Sequence, residues 1–366
     1  MRKVGIFSIY LANYGAVLQT YALQHYIRKN VADIDVKVVD FYSHKPYNIF
    51  KKASNNPLKN ILKQFLKLFH LHSLLKRNIR EKDFIRKEFN LSRRFSSIND
   101  FMNNIPDYDF YLTGSDQVFN FNSPYRSLFY QQFPISHGIR AAYAPSFGIS
   151  NFSREFGESI APDILKFNFL SCRENDGAKF LTKITGKHVP CVVDPTLLLS
   201  KDEWENIMIL PSQEYNYLLI YDLNGGQRLV NLAIPIAQKL NLKIWCITQH
   251  TYPRYKGVSK LIFDAGPREF VGLFAKAKYV ITDSFHGTCF SIIFNKPFST
   301  FLATPRASAR ITSLLALCNL ESRIIREEDI DDSDQLDASC EPNTYFPSLD
   351  KLSFYSKEYL NSIFNN

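Results

Sequence analysis

The stretch that most constrains the fold runs from Lys278 to Lys296, with the sequence KYVITDSFHGTCFSIIFNK. Its first part, Tyr279–Thr282, is short, apolar and rich in β-branched side chains, which predicts a buried strand. The next two residues would end the strand, Phe285–Thr288 would form a turn, and the apolar run Cys289–Asn295 predicts a helix. A strand that leads through a turn into a helix is the unit from which open α/β sheets are built.

The same alternation begins again at the start of the chain. Lys3–Tyr10 reads as a continuous apolar strand, Ala16–Arg28 as a helix and Asp35–Tyr42 as a second strand. Continuous apolar strands are typical of parallel sheets that are covered on both faces. A further strand is predicted at Val189–Val193, and a second series of strands and helices begins at Tyr217. The sequence therefore predicts an α/β protein.

The length of 366 residues exceeds what one hydrophobic core usually serves. We expect two Rossmann-like domains that face a cleft, the organisation of GT-B glycosyltransferases. The first, residues 1–200, would hold the acceptor side and a basic helical insertion at about 44–95. The second, residues 201–366, would hold the donor side and a C-terminal helix at Leu349–Phe364.

Composition excludes several classes of protein. No window approaches 18 uninterrupted apolar residues, so no transmembrane helix is expected. The six cysteines are scattered and include no Cys-x-x-Cys pair, which favours reduced thiols in a cytoplasmic protein over disulfides or a zinc site. No cluster of metal-ligating residues is evident, so neither a metal nor another cofactor is predicted.

The net charge of +9 is concentrated in residues 51–94, where 13 basic residues face three acidic ones. Within this segment, 58–75 has apolar residues at helical spacing and lysines on another face. One interpretation is a basic helix on the anionic inner leaflet of a membrane, which would make the protein peripheral there. Another is a helix that packs its apolar side on the domain. Nucleic-acid binding is disfavoured, because basic charge without a motif is weak evidence.

Two strand ends carry residues suited to chemistry. His286 and Gly287 follow the strand at Tyr279. Unpaired N–H groups with Ser284 at the start of the next helix would bind an anion, and Gly287 would let the backbone come close to this ligand. Ser115 and Asp116 follow a strand predicted at 108–113, where Asp116 would bind or activate a hydroxyl group. The alternatives are structural: His286 would only pack, and Ser115 or Asp116 would only cap a helical turn.

Taken together, five motifs in order resemble the polysaccharide pyruvyl transferase family. They are NYGAVLQTYAL (Asn13–Leu23), TGSDQVFN (Thr113–Asn120), SCRENDG (Ser171–Gly177), VVDPTLLL (Val192–Leu199) and TDSFHGTCFSIIFNKPF (Thr282–Phe298). The resemblance implies a GT-B-like fold and transfer of a pyruvyl group from phosphoenolpyruvate to a sugar of a cell-surface polysaccharide precursor. The product would be a cyclic ketal, and the acceptor a sugar or a lipid-linked oligosaccharide.

The resemblance also assigns roles to residues. His286 would be the general acid, since an imidazole can exchange a proton near neutral pH, and Asp116 would act on the acceptor hydroxyl. Arg173, with Arg306 or Arg310 in a basic loop at 304–310, would bind the anionic donor. Asn13, Tyr14 and Gln19, with Ser115, would line the acceptor side. Many relatives have an arginine just before the histidine, where this chain has Phe285.

Two other functions remain open from the sequence. A glycosyltransferase that uses a nucleotide-sugar would have the same fold, with a diphosphate in the anion site. A non-catalytic protein would use the basic segment to dock on a membrane or a nucleic acid. Assembly as a homodimer is also open, because symmetric dimers are common among enzymes of this size.

Overall fold

The computed structural model describes most of the chain. The backbone is described for residues 1–11, 13–41, 57–212, 216–224, 226–248, 255–302, 305–326 and 346–365, and side chains for the same residues except 57–69 and 305–308.

The chain forms two compact units, each with its own sheet. The first comprises Met1–Pro46, Glu88–Leu199 and Pro347–Asn366, and the second comprises Tyr47–Lys87 and Ser200–Phe346. Two segments therefore differ from the predicted division. The helical insertion, assigned from sequence to the first domain, belongs mainly to the second unit, and the C-terminal helix belongs to the first.

Six strands of the first unit form a parallel sheet in the order β3-β2-β1-β4-β5-β6. They are β1 (Arg2–Phe7), β2 (Ile34–Phe41), β3 (Leu91–Phe95), β4 (Phe110–Thr113), β5 (Ile139–Ala142) and β6 (Phe169–Leu170). All four residues of β4 are buried, because helices and loops cover both faces of a parallel sheet.

The helices of this unit follow the strands in the expected alternation. They are α1 (Tyr14–Asn30), α3 (Ile98–Asn103), α4 (Arg126–Phe129), α5 (Arg154–Ile164), α6 (Asn175–Thr185) and α12 (Pro347–Ile363). The helix between β2 and β3, α2 (Pro57–Glu88), belongs to the second unit up to Lys87. The strand predicted at Val189–Val193 is not part of the sheet: its Cys191 makes only an isolated bridge with Cys172.

The second unit repeats this plan. Its parallel sheet has the order β12-β11-β10-β7-β8-β9. The strands are β7 (Tyr217–Asp222), β8 (Lys243–Thr248), β9 (Lys260–Ile262), β10 (Tyr279–Thr282), β11 (Phe298–Phe301) and β12 (Ile324–Ile325). The helices are α7 (Lys201–Glu205), α8 (Gln227–Lys239), α9 (Pro267–Lys276), α10 (Phe285–Ile293) and α11 (Pro305–Leu317).

The long helix α2 attaches to the second unit through ion pairs. The Arg80 guanidinium lies 3.2 Å from an Asp264 carboxylate oxygen and 3.0 Å from a Glu269 carboxylate oxygen. Lys76 Nζ lies 3.2 Å from the same Asp264 oxygen. Part of the basic charge of this helix is therefore neutralised within its own unit, which accounts for its membership of that unit.

Membrane contact through residues 51–94 stays a prediction. Residues 51–56 and the side chains of 57–69, which include most of the predicted basic face, lie outside the described residues. Among the helices that are described, none combines the length and apolarity needed to cross a bilayer.

The C-terminal helix α12 packs on the first unit. The backbone N–H of Val193 donates to Ser356 Oγ at 3.0 Å. Just beyond the helix, the ring of Phe364 contacts that of Phe110 edge to face at 5.1 Å, and Phe364 is fully buried. Ser356 and Phe364 contact residues that are more than 150 positions away in the sequence, so no local pattern could reveal which unit the helix joins.

The variant Phe364→Ala tests this attachment. Removing a fully buried phenylalanine should lower the free energy of unfolding by about 3–5 kcal/mol, through lost burial and the cavity left behind. Phe354, within α12, is 67% exposed, so Phe354→Ala should change the free energy of unfolding by less than about 0.5 kcal/mol. Urea denaturation of the two variants makes the comparison. Equal effects would contradict the assignment of this helix to the core of the first unit.

Candidate functional site

In both sheets the strand order reverses next to the first strand of the unit, between β1 and β4 and between β7 and β10. Open α/β sheets bind ligands at such switch points, beyond the carboxyl ends of the strands. Of the residues predicted to carry chemistry, those that follow β1, β4 and β10 therefore lie at these switch points, whereas Arg173 follows β6 and Arg306 and Arg310 follow β11.

In the second unit, β10 leads directly into α10. The helix begins at Phe285, and Ser284 is its N-cap, with Ser284 Oγ accepting from the backbone N–H of Gly287 at 3.3 Å. The predicted turn at Phe285–Thr288 is therefore wrong, because these residues form the first helical turn. His286 lies in that turn and is 6% exposed, a position where helix N–H groups favour negative charge.

Gly287 has a packing role. A Cβ atom at this position would lie 2.4 Å from Thr282 Oγ1, at the end of β10. A distance this short is not tolerated, so only glycine lets the helix start this close to the strand. The sequence assigned Gly287 to close approach of a ligand; the close approach seen here is between helix and strand.

Asp283, between β10 and α10, was predicted only to end the strand. Its carboxylate accepts hydrogen bonds from the backbone N–H groups of Leu223 and Asn224 at 2.9 and 3.0 Å, and from Asn224 Nδ2 at 2.8 Å. Burial raises the pKa of Asp283 and the Leu223 N–H opposes that rise, while nearby Asp222 adds to it. Asp283 thus fixes the loop after β7 across the switch point.

Arg306 and Arg310 were predicted to bind the donor, and Arg310 is the one of the two whose side chain the structure describes. Its guanidinium carbon lies 5.7 Å from the centroid of the Phe285 ring, a cation–π contact. The Phe285 ring in turn meets the His286 ring edge to face at 5.3 Å. The basic loop predicted at 304–310 is wrong, because α11 begins at Pro305. Arg306 therefore lies in this helix, and its side chain is outside the described residues.

In the first unit, the loop after β4 holds Asp116 in an unusual conformation. Its φ of 71° and ψ of −168° lie in a region that is almost restricted to glycine. The Asp116 carbonyl accepts from the N–H groups of Val118 at 2.7 Å and Ser146 at 2.8 Å, which hold the backbone there. Asp116 makes no side-chain cap, so the helix-cap alternative is wrong for this residue.

The Asp116 carboxylate belongs to a buried ionic cluster centred on Arg173. The Arg173 guanidinium lies 2.6 Å from Asp194, 3.5 Å from Glu174 and 3.6 Å from Asp116, measured to one carboxylate oxygen of each. Burial opposes the charge on Arg173, but the three carboxylates together raise its pKa above the ordinary value. The cluster joins the segments that follow β4 and β6 to the segment around Asp194.

This geometry gives Arg173 a structural contact that was not predicted. Its guanidinium is 2% exposed and is surrounded by three carboxylates, which repel a phosphate or a carboxylate. Donor binding by Arg173 stays a prediction. Glu174 and Asp194 were not predicted as site residues, although both lie in motifs quoted above. The available signals were the position of Glu174 next to the motif arginine and the position of Asp194 directly after an apolar run.

Two of the four residues predicted for the acceptor side have structural roles. Gln19 is fully buried, and its Nε2 donates to Ser8 Oγ at 3.0 Å and Thr20 Oγ1 at 2.7 Å. Ser115 is also fully buried and donates to the Ala144 carbonyl at 2.7 Å. These two residues therefore shape the loops, and neither side chain is exposed to solvent.

The remaining two lie at the start of α1. Asn13 is the N-cap, and its side-chain oxygen accepts from the backbone N–H of Ala16 at 3.0 Å. Tyr14 follows it in the helix and is 3% exposed. Of the two, only Asn13 keeps appreciable exposure at this edge.

The polysaccharide pyruvyl transferase family matches residues 13–302, most of the chain. The protein belongs to this family. It is accordingly a transferase, as the motifs predicted. The sequence matches no curated protein.

Two solved structures show the likeness of fold for this pyruvyl transferase family member. A UDP-GlcNAc 2-epimerase from Methanocaldococcus jannaschii, in complex with UDP-GlcNAc and UDP, has a TM-score of 0.53 and 13% identity, with all of both chains covered. A UDP-GlcNAc 2-epimerase from Neisseria meningitidis bound to UDP-GlcNAc has a TM-score of 0.50 and 14% identity, covering 99% of this chain and all of its own. The predicted GT-B-like class with two Rossmann-like units is confirmed.

The variant Arg173→Met tests the ionic cluster. Removing the buried guanidinium leaves three carboxylates uncompensated and should cost about 3–5 kcal/mol in the free energy of unfolding. Arg154→Met, at an exposed ion pair in α5, should cost about 0.5 kcal/mol or less. An Arg173→Met protein as stable as the wild type would refute the cluster's structural role.

Proposed function

We propose that this transferase moves a pyruvyl group from phosphoenolpyruvate to a sugar of a polysaccharide precursor and forms a cyclic ketal. The observation that carries the proposal is His286, buried in the first turn of α10 at the carboxyl end of the central strand β10. Membership of the polysaccharide pyruvyl transferase family supports a pyruvyl donor and a sugar acceptor.

Phosphoenolpyruvate carries a phosphate and a carboxylate, so its site needs positive charge. Because Arg173 is committed to carboxylates, we assign the donor to the second unit. There the N-terminal N–H groups of α10 offer hydrogen-bond donors, and Arg310 lies over Phe285 beside His286. Phe285 replaces the arginine of many relatives, and Arg310 brings a guanidinium to the same helix start from α11.

The reaction needs a proton on the methylene carbon of the donor. In the proposed mechanism His286, as imidazolium, gives this proton and leaves positive character on the carbon that bears the phosphate. A sugar hydroxyl adds to that carbon and loses its proton to a base, for which Asp116 is the candidate. A second hydroxyl of the same sugar then attacks that carbon and closes the ketal, the C–O bond to phosphate breaks, and the proton of this hydroxyl leaves with the inorganic phosphate. The acceptor is proposed to bind the first unit.

The direct test uses purified protein with phosphoenolpyruvate and candidate lipid-linked saccharides. Mass spectrometry should find a pyruvyl group on one saccharide, with one phosphate released for each ketal. A thermal-shift comparison of phosphoenolpyruvate with UDP-sugars separates the donors, because a ligand that binds only the native state raises its stability. Stabilisation by a UDP-sugar alone, with glycosyl transfer, would support the nucleotide-sugar alternative and overturn the proposal.

His286→Ala should lower turnover by about 100-fold or more, the usual effect of losing a general acid. The effect should fall on turnover more than on the affinity for phosphoenolpyruvate, since the imidazole acts in the chemical step. His188→Gln, at an exposed histidine of the first unit, is the matched control and should keep full activity. Undiminished turnover in His286→Ala would leave His286 with a structural role only.

Arg310→Met tests the cation assigned to the donor. Loss of a charged hydrogen-bond donor should weaken phosphoenolpyruvate binding roughly 10- to 100-fold, as measured by thermal-shift titration. Lys239→Met removes an exposed positive charge at the end of α8 in the same unit and should leave the affinity unchanged. If both variants bind equally well, Arg310 does not contact the donor.

A further inference from the structure

Short segments that lead into four strands of the second unit are rich in lysine. They are KLNLK (239–243) into β8, VSK (258–260) into β9, KAK (276–278) into β10 and NKP (295–297) into β11, and none of them contains an acidic residue. Five of their six lysines are exposed, and Lys296 is partly buried. These six residues are named the lysine edge: Lys239, Lys243, Lys260, Lys276, Lys278 and Lys296.

The lysine edge lies along one side of the sheet. Because the strands are parallel, all of these segments reach the sheet where its strands begin. The N–H of Lys278 donates to the Tyr217 carbonyl at 3.0 Å, and the N–H of Lys243 donates to the Asn216 carbonyl at 3.1 Å, on the two sides of β7. Five neighbouring strands at the usual spacing of about 4.8 Å place β11 and β9 about 19 Å apart. The positive charges therefore form a broad row.

The charges within this row are crowded. Burial is the main cause that lowers the pKa of Lys296 to about 8. Three nearby lysines, Lys201, Lys278 and Lys276, lower this pKa too, whereas Glu205 raises it. The ammonium groups are therefore close enough to repel one another, and a surface of negative charge would relieve that repulsion.

Acidic groups beside the lysine edge offset only part of its charge. Helix α7 carries three carboxylates together with Lys201, whose Nζ lies 3.7 Å from a Glu205 oxygen. Glu321, in the segment before β12, is followed closely by Arg323. Among the described residues, the six lysines outnumber these carboxylates, so the edge keeps a net positive charge.

An exposed apolar side chain lies within the same edge. Leu240 is the C-cap of α8, stands between Lys239 and Lys243 in the sequence, and is 37% exposed. An apolar side chain flanked by lysines suits the interface of a bilayer, where the apolar group enters the acyl boundary and the ammonium groups stay among the headgroups.

We propose that the lysine edge docks the second unit on the surface of an anionic lipid bilayer. Lipid phosphates attract lysines without a fixed geometry. Nucleic acid is the weaker fit, because its recognition uses arginine forks and open aromatic rings. The cations of the four segments are all lysines, and the rings at this edge, Tyr217 and Trp245, are 1% and 2% exposed.

This docking leaves the candidate site of the second unit open to water. Lys278 precedes β10, whereas His286 follows it at the carboxyl end. A bilayer on the lysine edge is therefore on the opposite side of the sheet from the start of α10, which a water-soluble ligand can still reach. The docking does not depend on the proposed function, and it uses a surface other than residues 51–94.

Co-sedimentation of the full chain with vesicles of equimolar phosphatidylglycerol and phosphatidylcholine tests the docking. The combined variant Lys243→Gln, Lys276→Gln and Lys278→Gln should bind roughly 100-fold more weakly, from about fivefold for each lysine near an anionic surface. Its matched control removes the same charge from three exposed lysines of the first unit and should bind like the wild type: Lys179→Gln, Lys183→Gln and Lys187→Gln.

Three results of this assay would overturn the docking. They are no binding of the wild type to anionic vesicles, equal binding of the wild type and the lysine-edge variant, and equal losses in the two triple variants. The second result would leave residues 51–94 as the membrane contact. Tighter binding to a mixed-sequence DNA strand than to vesicles, lost in the lysine-edge variant, would overturn the lipid assignment.

Fluorescence of Leu240→Trp tests the place of contact. The two natural tryptophans, Trp204 and Trp245, are buried, so the new indole is the exposed one. Its emission should move to shorter wavelength when anionic vesicles are added, because indole favours the bilayer interface. Leu165→Trp, at a 60% exposed leucine of the first unit, should show no such change. A vesicle-dependent change in Leu165→Trp alone would contradict docking through the lysine edge.

Discussion

Both units depend on one requirement: the backbone N–H and C=O groups at the ends of the parallel strands need hydrogen-bond partners. A parallel strand that stops leaves N–H and C=O groups without ladder partners, and such groups are costly when buried. In the second unit the Asp283 carboxylate takes two backbone N–H groups from the loop after β7. In the first unit Gln19 and Thr20 hold the loop after β1 through the Ile9 carbonyl. Each switch point is thus closed by buried polar side chains.

This constraint separates two kinds of motif residue. Gln19, Ser115 and Asp283 are buried, and each forms side-chain hydrogen bonds with the segments around it. They make the shape of the edge, and a ligand would have to displace existing hydrogen bonds to reach them. His286 and Asp116 are also buried, but each keeps a small exposed fraction, 6% and 8% respectively. Backbone strain at Asp116, which the Arg173 cluster and two N–H bonds maintain, is typical of functional positions.

The sequence predicted those features of the fold that depend on local residue patterns. Runs such as Tyr279–Thr282 identify buried strands, and their alternation with helices predicted two Rossmann-like halves. It misplaced the start of α10, because Phe285–Thr288 contains glycine and polar residues typical of turns, whereas the Ser284 cap makes it helical. It also gave no sign of the carboxylates around Arg173, since an arginine within a motif suggests an anion site. Only folding brings Asp194 and Asp116 from distant segments against it, and no spacing rule reveals that neutralisation.

Charge supports the proposal that the two substrates bind different units. In the first unit the guanidinium of Arg173 is outnumbered by carboxylates. Carboxylates bind hydroxyl groups well and repel phosphate, which suits a neutral sugar. In the second unit Arg310 and the N-terminal turn of α10 supply positive potential. The desolvation cost of the proposed donor, which carries a phosphate and a carboxylate, is lowest next to positive potential, so charge supports the proposed assignment of the donor to the second unit.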